Sequence, residues 1–495
     1  MQTMSSQMMS LRGGAKRRRS NLLLTGESPR TGDCFVAKCK CAPRNDMMNS
    51  MRLAMSDLPE NWTSASISEL SKIIRGVTYS KNDARDQPSK ELIPVLRATN
   101  ITERGLVLDD LVYVPRKLVK EEQIIKAGDV IAAISSGSIT VVGKAKQTQS
   151  DLDAAFGAFC AVLRPVEEIN KKYFGHFFGT QYYRFTVSSL ARGVNINNLK
   201  REHFEQIEIP LAPLHEQKRI AEKLDQVLAR VDACQTHLER VPQILKRFRQ
   251  SVLAAATSGL LTEGWREEKG VNFEKDWKAI KLGDYVDNHD GKRIPISEKI
   301  RSTRRGEYPY YGASGVIDTI DSFTHEGKFL LIGEDGANLL TRSKPIAFIA
   351  EGKIWVNNHA HVLTCKNGEP EEYLNYYINA IDLSPYVSGS AQPKLNQKNM
   401  NDIVVPVPPI EEQAEIVRRV EKLFAYAAKL EARYQSASEQ VARLTPSLLA
   451  KAFRGELVGQ DPNDEPASAL VGRIRETRDT EKADPSVKSK KSKRS

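Results

Sequence analysis

Pro210-Leu211-Ala212-Pro213-Leu214-His215-Glu216-Gln217 and Pro406-Val407-Pro408-Pro409-Ile410-Glu411-Glu412-Gln413 are two versions of one stretch, 196 residues apart. The match extends without a gap from Leu199–Thr262 onto Leu395–Val458. Within it Ile207, Pro210, Pro213, Glu216, Gln217 and Ile220 meet Ile403, Pro406, Pro409, Glu412, Gln413 and Ile416. At the far end Ser251, Leu253, Ala254, Ala256, Gly259 and Leu261 meet Ser447, Leu449, Ala450, Ala452, Gly455 and Leu457. A fainter echo at an offset of 215 sets Trp62, Ile67 and Gly76 against Trp277, Leu282 and Gly291. Self-similarity of this kind marks a duplicated structural unit: a variable domain followed by a helix, twice.

Each repeat opens on prolines, which end an extended segment and suit the first turn of a helix. The helix predicted next has a heptad seam. In the first copy it runs through Ile220, Leu224, Val227, Val231, Cys234, Leu238, Val241, Leu245, Phe248, Val252 and Ala255. In the second it runs through Ile416, Val420, Leu423, Ala427, Leu430, Tyr434, Ala437, Val441, Leu444 and Leu448, with Lys451 breaking the series. Alternating steps of four and three over five heptads indicate a left-handed coiled coil. Equal length and register favour pairing of the two helices within the chain; pairing in trans is the alternative. Gly259 and Gly455 are natural stops, and Pro242 and Pro446 predict a local kink in each rod. About 40 residues at 1.5 Å each give a rod on the order of 60 Å, comparable to about 18 base pairs.

At 495 residues, 40% hydrophobic and 27% charged, the chain fits about three domains of a globular protein. No apolar run approaches the roughly 18–20 residues of a membrane span. The basic cluster Lys16–Arg19 before Leu22–Leu24 mimics a signal peptide, but three leucines are far short of its apolar region. Six scattered cysteines do not form a disulfide framework, so a cytoplasmic location is expected. The net charge of +11 sits in the tails: residues 1–57 carry +6, residues 472–495 carry +5, and the body is neutral. Both tails read as disordered. Any phosphate-binding surface must then come from local clustering.

Residues 58–213 and 263–409 differ in sequence but share short β-branched runs, Gly-rich turns and one aromatic helix each. Strands are expected at Leu92–Leu96, Asp129–Ile134 and Ala158–Leu163, then at Phe329–Ile332, Ile346–Ile349 and Ile354–Val356. Helices are expected near Tyr173–Tyr183 and Glu371–Ile381. Candidate DNA contacts in the second domain are Lys292, Arg293, Lys299, Arg301, Arg304 and Arg305, followed by Tyr308, Tyr310 and Tyr311. Basic side chains attract phosphate, and Arg also binds guanine bidentately; the plainer reading is a solvated loop. In the first domain the candidates are Lys81 and Arg85 within Lys81–Lys90, Ser136 within Ser135–Ser138, Lys144 and Lys146, and Arg192 with Asn195, Asn197 and Asn198. Asn suits adenine, although Asn-rich turns are common for local reasons. His359 with His361 lacks a third metal ligand, and Cys34, Cys39 and Cys41 lack a fourth, so no metal is expected. Glu334-Asp335-Gly336 reads as a charged turn. Phosphate-loop, amino-methyltransferase and serine-hydrolase motifs are missing.

Leu58-Pro59-Glu60-Asn61-Trp62, the two proline-to-glutamine stretches quoted first, Gly193-Val194-Asn195-Ile196 and the strand Trp355–His361 together resemble the specificity (S) subunit of type I restriction–modification systems. The resemblance spans about 58–458, and Met55-Ser56-Asp57-Leu58-Pro59 resembles the family's usual start, making residues 1–54 an artefactual or unstructured extension. It implies an α+β fold with pseudo-twofold symmetry: two target recognition domains of mixed α/β character (58–213 and 263–409) separated by two long helices (214–262 and 410–458) in an antiparallel intramolecular coiled coil, then a basic disordered tail (459–495). Each recognition domain would read one half of a split site in double-stranded DNA. Methyltransferase (M) subunits, typically two, would dock on the helical regions, with Glu216, Gln217, Glu412 and Gln413 as expected contacts. They would methylate adenine with S-adenosylmethionine, and restriction (R) subunits would bring ATP- and Mg2+-dependent cleavage. This chain would bind no cofactor and have no catalytic residue, and Trp355–His361 would belong to the framework. A self-contained DNA-modifying enzyme and a coiled-coil adaptor without DNA binding are the rival readings.

Overall fold

The computed structural model describes residues 58–191, 197–389 and 392–483. The expectations for residues 1–57, including Cys34, Cys39 and Cys41, and for residues 484–495 lie outside the described residues.

The proline stretches do start the rods. The first rod comprises helices Leu214–Leu238 and Val241–Thr257, and the second is one helix, Ile410–Ala452. Pro242 begins the second segment of the first rod, where its missing N–H costs nothing. Pro446, by contrast, lies inside a helix that runs through it, so the helix is interrupted in one rod. Gly259 and Gly455 follow the rods with φ of 79° and 75°, a left-handed backbone open to glycine at little cost.

The rods pair with each other and run antiparallel. Arg249 of the first reaches Glu431 of the second at 2.8 Å, whereas the first rod's start lies beside the chain that follows the second, through Arg219 and Asp464 at 2.7 Å. Ile220, Leu224, Val231, Leu245, Val252, Ile416, Val420 and Ala427 are buried as the seam requires. Most mid-rod seam positions are half-buried, because two helices alone cannot enclose a side chain. Cys234 and Leu444 leave the seam and are exposed, while Leu449 and Ala452 are buried near the second rod's end.

The two variable domains occupy opposite ends of this coil. The first packs Tyr173 and Phe177 on Phe453, at 4.9 and 5.5 Å between ring centroids. The second builds Val252, Ala256, Ile416 and Val420 into its own core. In the second domain six strands form one sheet in the order Val286–Asn288, Ala360–Cys365, His325–Gly333, Ala347–Val356, Tyr308–Gly312 and Gly315–Ile320. The first domain has the corresponding strands in two sheets. One runs Ser71–Arg75, Cys160–Pro165, Val130–Ala133 and Ala145–Gln147; the other runs Val112–Pro115, Leu92–Leu96 and Ala155–Phe156. The difference is local: Ala347–Val356 is one continuous strand, but its counterpart is interrupted between Gln147 and Ala155. The aromatic helix of the second domain is Glu371–Ala380, while that of the first divides into Lys171–Phe177 and Gln181–Leu190 at Thr180, whose hydroxyl caps the second piece.

The tail departs from expectation. Ala467–Ala483 is a helix that buries Ala467, Leu470, Val471 and Ile474. It returns to the start of the first domain, where Ala467 N–H donates to Asn61 O at 2.9 Å, Arg475 meets Glu69 at 2.9 Å, and Arg478 donates to the carbonyls of Ser68 and Ser71. Four apolar residues among many charged ones carry too little periodicity to announce it. Truncation after Gly459 should cost roughly 2–4 kcal/mol, given the apolar area released. Hydrogen exchange should accelerate in Thr63–Leu70 but not in Lys278–Tyr285; unchanged exchange at Thr63–Leu70 would return the tail to its disordered reading.

Candidate nucleic-acid interface and the junctions that hold it

Each domain is fastened to a rod by the same set of buried polar contacts. Trp62 Nε1 donates to Glu216 Oε2 at 3.0 Å, and Trp277 Nε1 donates to Glu412 Oε2 at 2.9 Å. The strand after each tryptophan pairs antiparallel with the strand leading into a rod: Thr63–Ser66 with Glu208–Leu211, and Lys278–Lys281 with Val404–Val407. Gln217 Nε2 donates to Ala212 O at 2.8 Å, while its Oε1 accepts from Asn170 N at 3.0 Å. Gln413 donates to Pro408 O at 3.0 Å and accepts from the Tyr285 hydroxyl at 3.2 Å. Tyr173 donates to Pro210 O at 2.7 Å, and Tyr373 donates to Pro406 O. Glu216, Gln217, Glu412 and Gln413 are at most 1% exposed. The expectation that they bind a partner subunit is therefore corrected: all four side chains are buried inside the chain and present no surface to a partner.

The two junctions differ in charge. Glu412 Oε1 accepts from Arg266 and from the Thr262 hydroxyl, each at 2.7 Å. Glu216 Oε1 is buried without a hydrogen-bond partner, because Val458 and Pro462 occupy the repeat positions of Thr262 and Arg266. Burial accordingly pushes the Glu216 carboxyl above its usual pKa, a rise that the Trp62 bond only partly offsets.

The first domain lies along its rod. Lys172 and His176 both contact Asp225, at 2.6 and 2.8 Å, and Arg104 pairs with Glu239. Burial lowers the His176 pKa despite that carboxylate. Of the candidate DNA contacts, Lys81 and Arg85 are exposed in the loop before Leu92–Leu96. The Arg85 guanidinium donates to Asn82 O and Ala84 O, at 2.6 and 2.8 Å. Ser136 and Lys144 are half-buried and share a cleft of about 470 Å³ with Thr99, Thr102 and Glu103. Asn197–Asn198 pairs with Ser135–Ser136, bringing together two loops that lie about 60 residues apart in the chain. Arg192, Asn195 and the side chain of Asn197 lie outside the described residues.

In the second domain Lys292, Lys299 and Arg305 are exposed. Arg293 is corrected to a framework residue: its side chain is 15% exposed, it pairs with Asp290 and Glu334, and it donates to Ala360 O. Arg301 is likewise committed, to Asp318, to Ile296 O and to the Tyr310 ring at 4.7 Å. Arg304 pairs with Asp321 at 2.7 Å and lies over Trp355. Tyr311 stacks on Phe348 at 5.9 Å, and burial pushes its phenol up; it supports the sheet. His361 bonds Asp290 and Leu395 O, whereas His359 bonds Asp335. Among the described residues, no group of three or more His, Cys, Asp or Glu is placed to hold a metal ion, and no helix is long and apolar enough to cross a membrane.

The domains correspond residue by residue where their sequences do not. Leu96 O accepts from Gly157 N, and Tyr311 O accepts from Asn357 N; Phe159 O accepts from Ile134 N, and His359 O accepts from Glu334 N. Phe159 is not among the residues singled out from the sequence, since an exposed phenylalanine and a core one look alike in a string. The expected strand Ala158–Leu163 takes in Phe159, whereas the strand begins at Cys160 and Ala158–Phe159 form the turn before it.

Two like-folded reading heads on one antiparallel spacer define a two-headed recognition subunit. The chain belongs to the family of type I restriction–modification DNA specificity subunits. The model of the type I restriction modification DNA specificity domain matches residues 59–243 and 274–437. The chain is 38% identical over 457 residues to the type I restriction enzyme EcoKI specificity subunit of Escherichia coli K12, covering 86% of this chain and 97% of that one. It is also 38% identical over 453 residues to the StySPI specificity subunit of Salmonella potsdam, covering 85% and 96%. The fold matches the HsdS subunit of Thermoanaerobacter tengcongensis with TM-score 0.51 and 19% identity, over 81% of this chain and 98% of that one. A type I restriction–modification structure matches with TM-score 0.59 and 18% identity, over 81% and 99%.

The unequal junctions give a direct test. Glu412→Gln leaves the 11%-exposed Arg266 side chain without its counter-charge and should cost about 3 kcal/mol in denaturant unfolding. Glu216 has its folded pKa above the unfolded value, so its contribution is greatest in acid and is lost as pH rises through that folded pKa. Glu216→Gln should flatten this decline and cost much less than Glu412→Gln near neutrality. Equal losses at both sites would show that the missing cation is immaterial.

Proposed function

We propose that this chain reads a bipartite site in double-stranded DNA and delivers it to methyltransferase and restriction subunits, with no chemistry of its own. The observation that carries this reading is the placement of two domains of one topology at opposite ends of an antiparallel coil. A rod of 43 residues extends on the order of 65 Å, enough to set two half-sites apart along one duplex. In this reading two M subunits bring S-adenosylmethionine, R subunits bring ATP and Mg2+, and the complex works in the cytoplasm. With the Glu–Gln pairs buried, the outward rod surface, where Ile244, Tyr426 and Leu444 stand exposed, takes their place as the methyltransferase contact.

Removing one heptad from each rod at facing positions shortens the coil by about 10 Å, or about three base pairs. Methylome sequencing of cells making this variant with its methyltransferase should show the same half-sites with a correspondingly shorter gap. An unchanged gap would refute the ruler. The charges separate in a second experiment. Neutralising Lys292, Lys299 and Arg305 should weaken binding to all sequences and reduce the salt slope by about one for each phosphate no longer neutralised. Arg293→Ala and Arg301→Ala should chiefly lower stability, which thermal unfolding and the salt slope together distinguish.

A further inference from the structure

Phe159 is 69% exposed, more than any other large hydrophobic side chain among the described residues. A phenylalanine held in water is unfavourable by the cost of its apolar surface, and its backbone here is fixed. The turn closes through Cys160 N donating to Gly157 O at 2.8 Å, and Phe159 O accepts from both Ile134 N and Ser135 N, at 2.9 and 3.2 Å. The ring therefore stands on a rigid platform.

The platform's neighbours are polar. Ser135 and Ser136 continue directly from the amides that hold Phe159, and the exposed Asn198 pairs with Ser135. The half-buried Lys144 closes the same hairpin, with its carbonyl accepting from Ala133 N. The strands and loops joined by these backbone bonds carry hydroxyl, amide and ammonium side chains beside one exposed ring in sequence and pairing. This set matches the chemistry of a base edge and its phosphate: Asn for adenine, Lys for phosphate or guanine, and an aromatic ring for the thymine methyl group. The centre of a protein–protein interface is instead depleted of charge and largely apolar.

The second domain places His359 at the equivalent position. Its carbonyl accepts from Glu334 N at 2.9 Å, its amide donates to Asn357 Oδ1 at 2.8 Å, and its ring meets Asp335 at 2.7 Å with the side chain 46% exposed. A duplex lying across a pseudo-twofold protein presents equivalent backbone to equivalent protein positions, so contacts should recur in matched pairs. The fold here holds the turn constant, while its tip changes from an apolar ring to a polar one.

We infer that the Gly157–Cys160 turn of the first domain touches bases in its half-site, with Phe159 as a specificity-determining contact, and that His359, set apart from the framework role expected of Trp355–His361, has the corresponding place in the second. The inference rests on the DNA-reading function proposed above and assigns its surface. The test uses the full chain assembled with its cognate methyltransferase subunits, with methylated motifs read by sequencing. Phe159→Ala should relax at least one position of one half-site, reducing discrimination there on the order of tenfold, and leave the other half-site and the gap intact. His359→Ala should act on the opposite half-site. Phe159→Lys, which removes the ring but keeps the side chain long and solvated, should give the same one-sided relaxation if alanine perturbs the turn. An unchanged motif with both Phe159 variants overturns the inference while leaving the function standing. Reduced assembly with the methyltransferase alongside an intact motif also overturns it, in favour of a protein-binding role. A wild-type chain that yields no bipartite motif would instead remove the proposed function itself.

Discussion

The hydrogen bond from a domain's opening tryptophan to a carboxylate in the first turn of a rod is the constraint on which the molecule depends. It joins three things at one point: the first strand of a domain, the last strand of that domain, and the helix that fixes its distance from the other. Trp62 with Glu216 and Trp277 with Glu412 repeat the arrangement. A buried carboxylate is costly unless hydrogen-bonded and compensated, so these residues are retained for position. The glutamine beside each carboxylate completes the joint by bonding the chain just before the rod and a neighbouring loop of its domain.

The rods and their pairing were legible because a heptad seam is a periodic signal that survives in a single sequence, and the repeat gave both rods at once. Orientation was not contained in the seam; it came with the family resemblance and is visible in pairs such as Arg249 with Glu431. Individual strands were also legible: Leu92–Leu96 lies where the β-branched run put it. Ile346–Ile349 and Ile354–Val356 read as two strands because Gly352 and charged residues separate them, yet they belong to one strand, Ala347–Val356.

Side-chain roles were the least legible. A run of basic residues in a loop looks the same whether its guanidiniums face solvent or fold back, and Arg293, Arg301 and Arg304 fold back onto Glu334, Asp318 and Asp321. Those carboxylates lie 41, 17 and 17 residues away, beyond any local pattern. The paired Glu and Gln residues were expected at a partner surface through the family resemblance, and only the converging tryptophans and loops show them to be internal. The correspondence between Phe159 and His359 has no sequence signal, since it lies in matched strand pairings between domains that share few residues.

The tail helix also bears on synthesis. Everything the second head needs, from Val252 and Ala256 to Ile416 and Val420, has left the ribosome while the partners of the first head are still to be translated. Phe453, Asp464 and Ala467 meet Tyr173, Arg219 and Asn61, so the head that is made first must wait, unfinished, for residues that follow the second rod. A polypeptide that usually matures from its beginning is here completed in reverse order, and a premature stop just after the second rod would harm its oldest part.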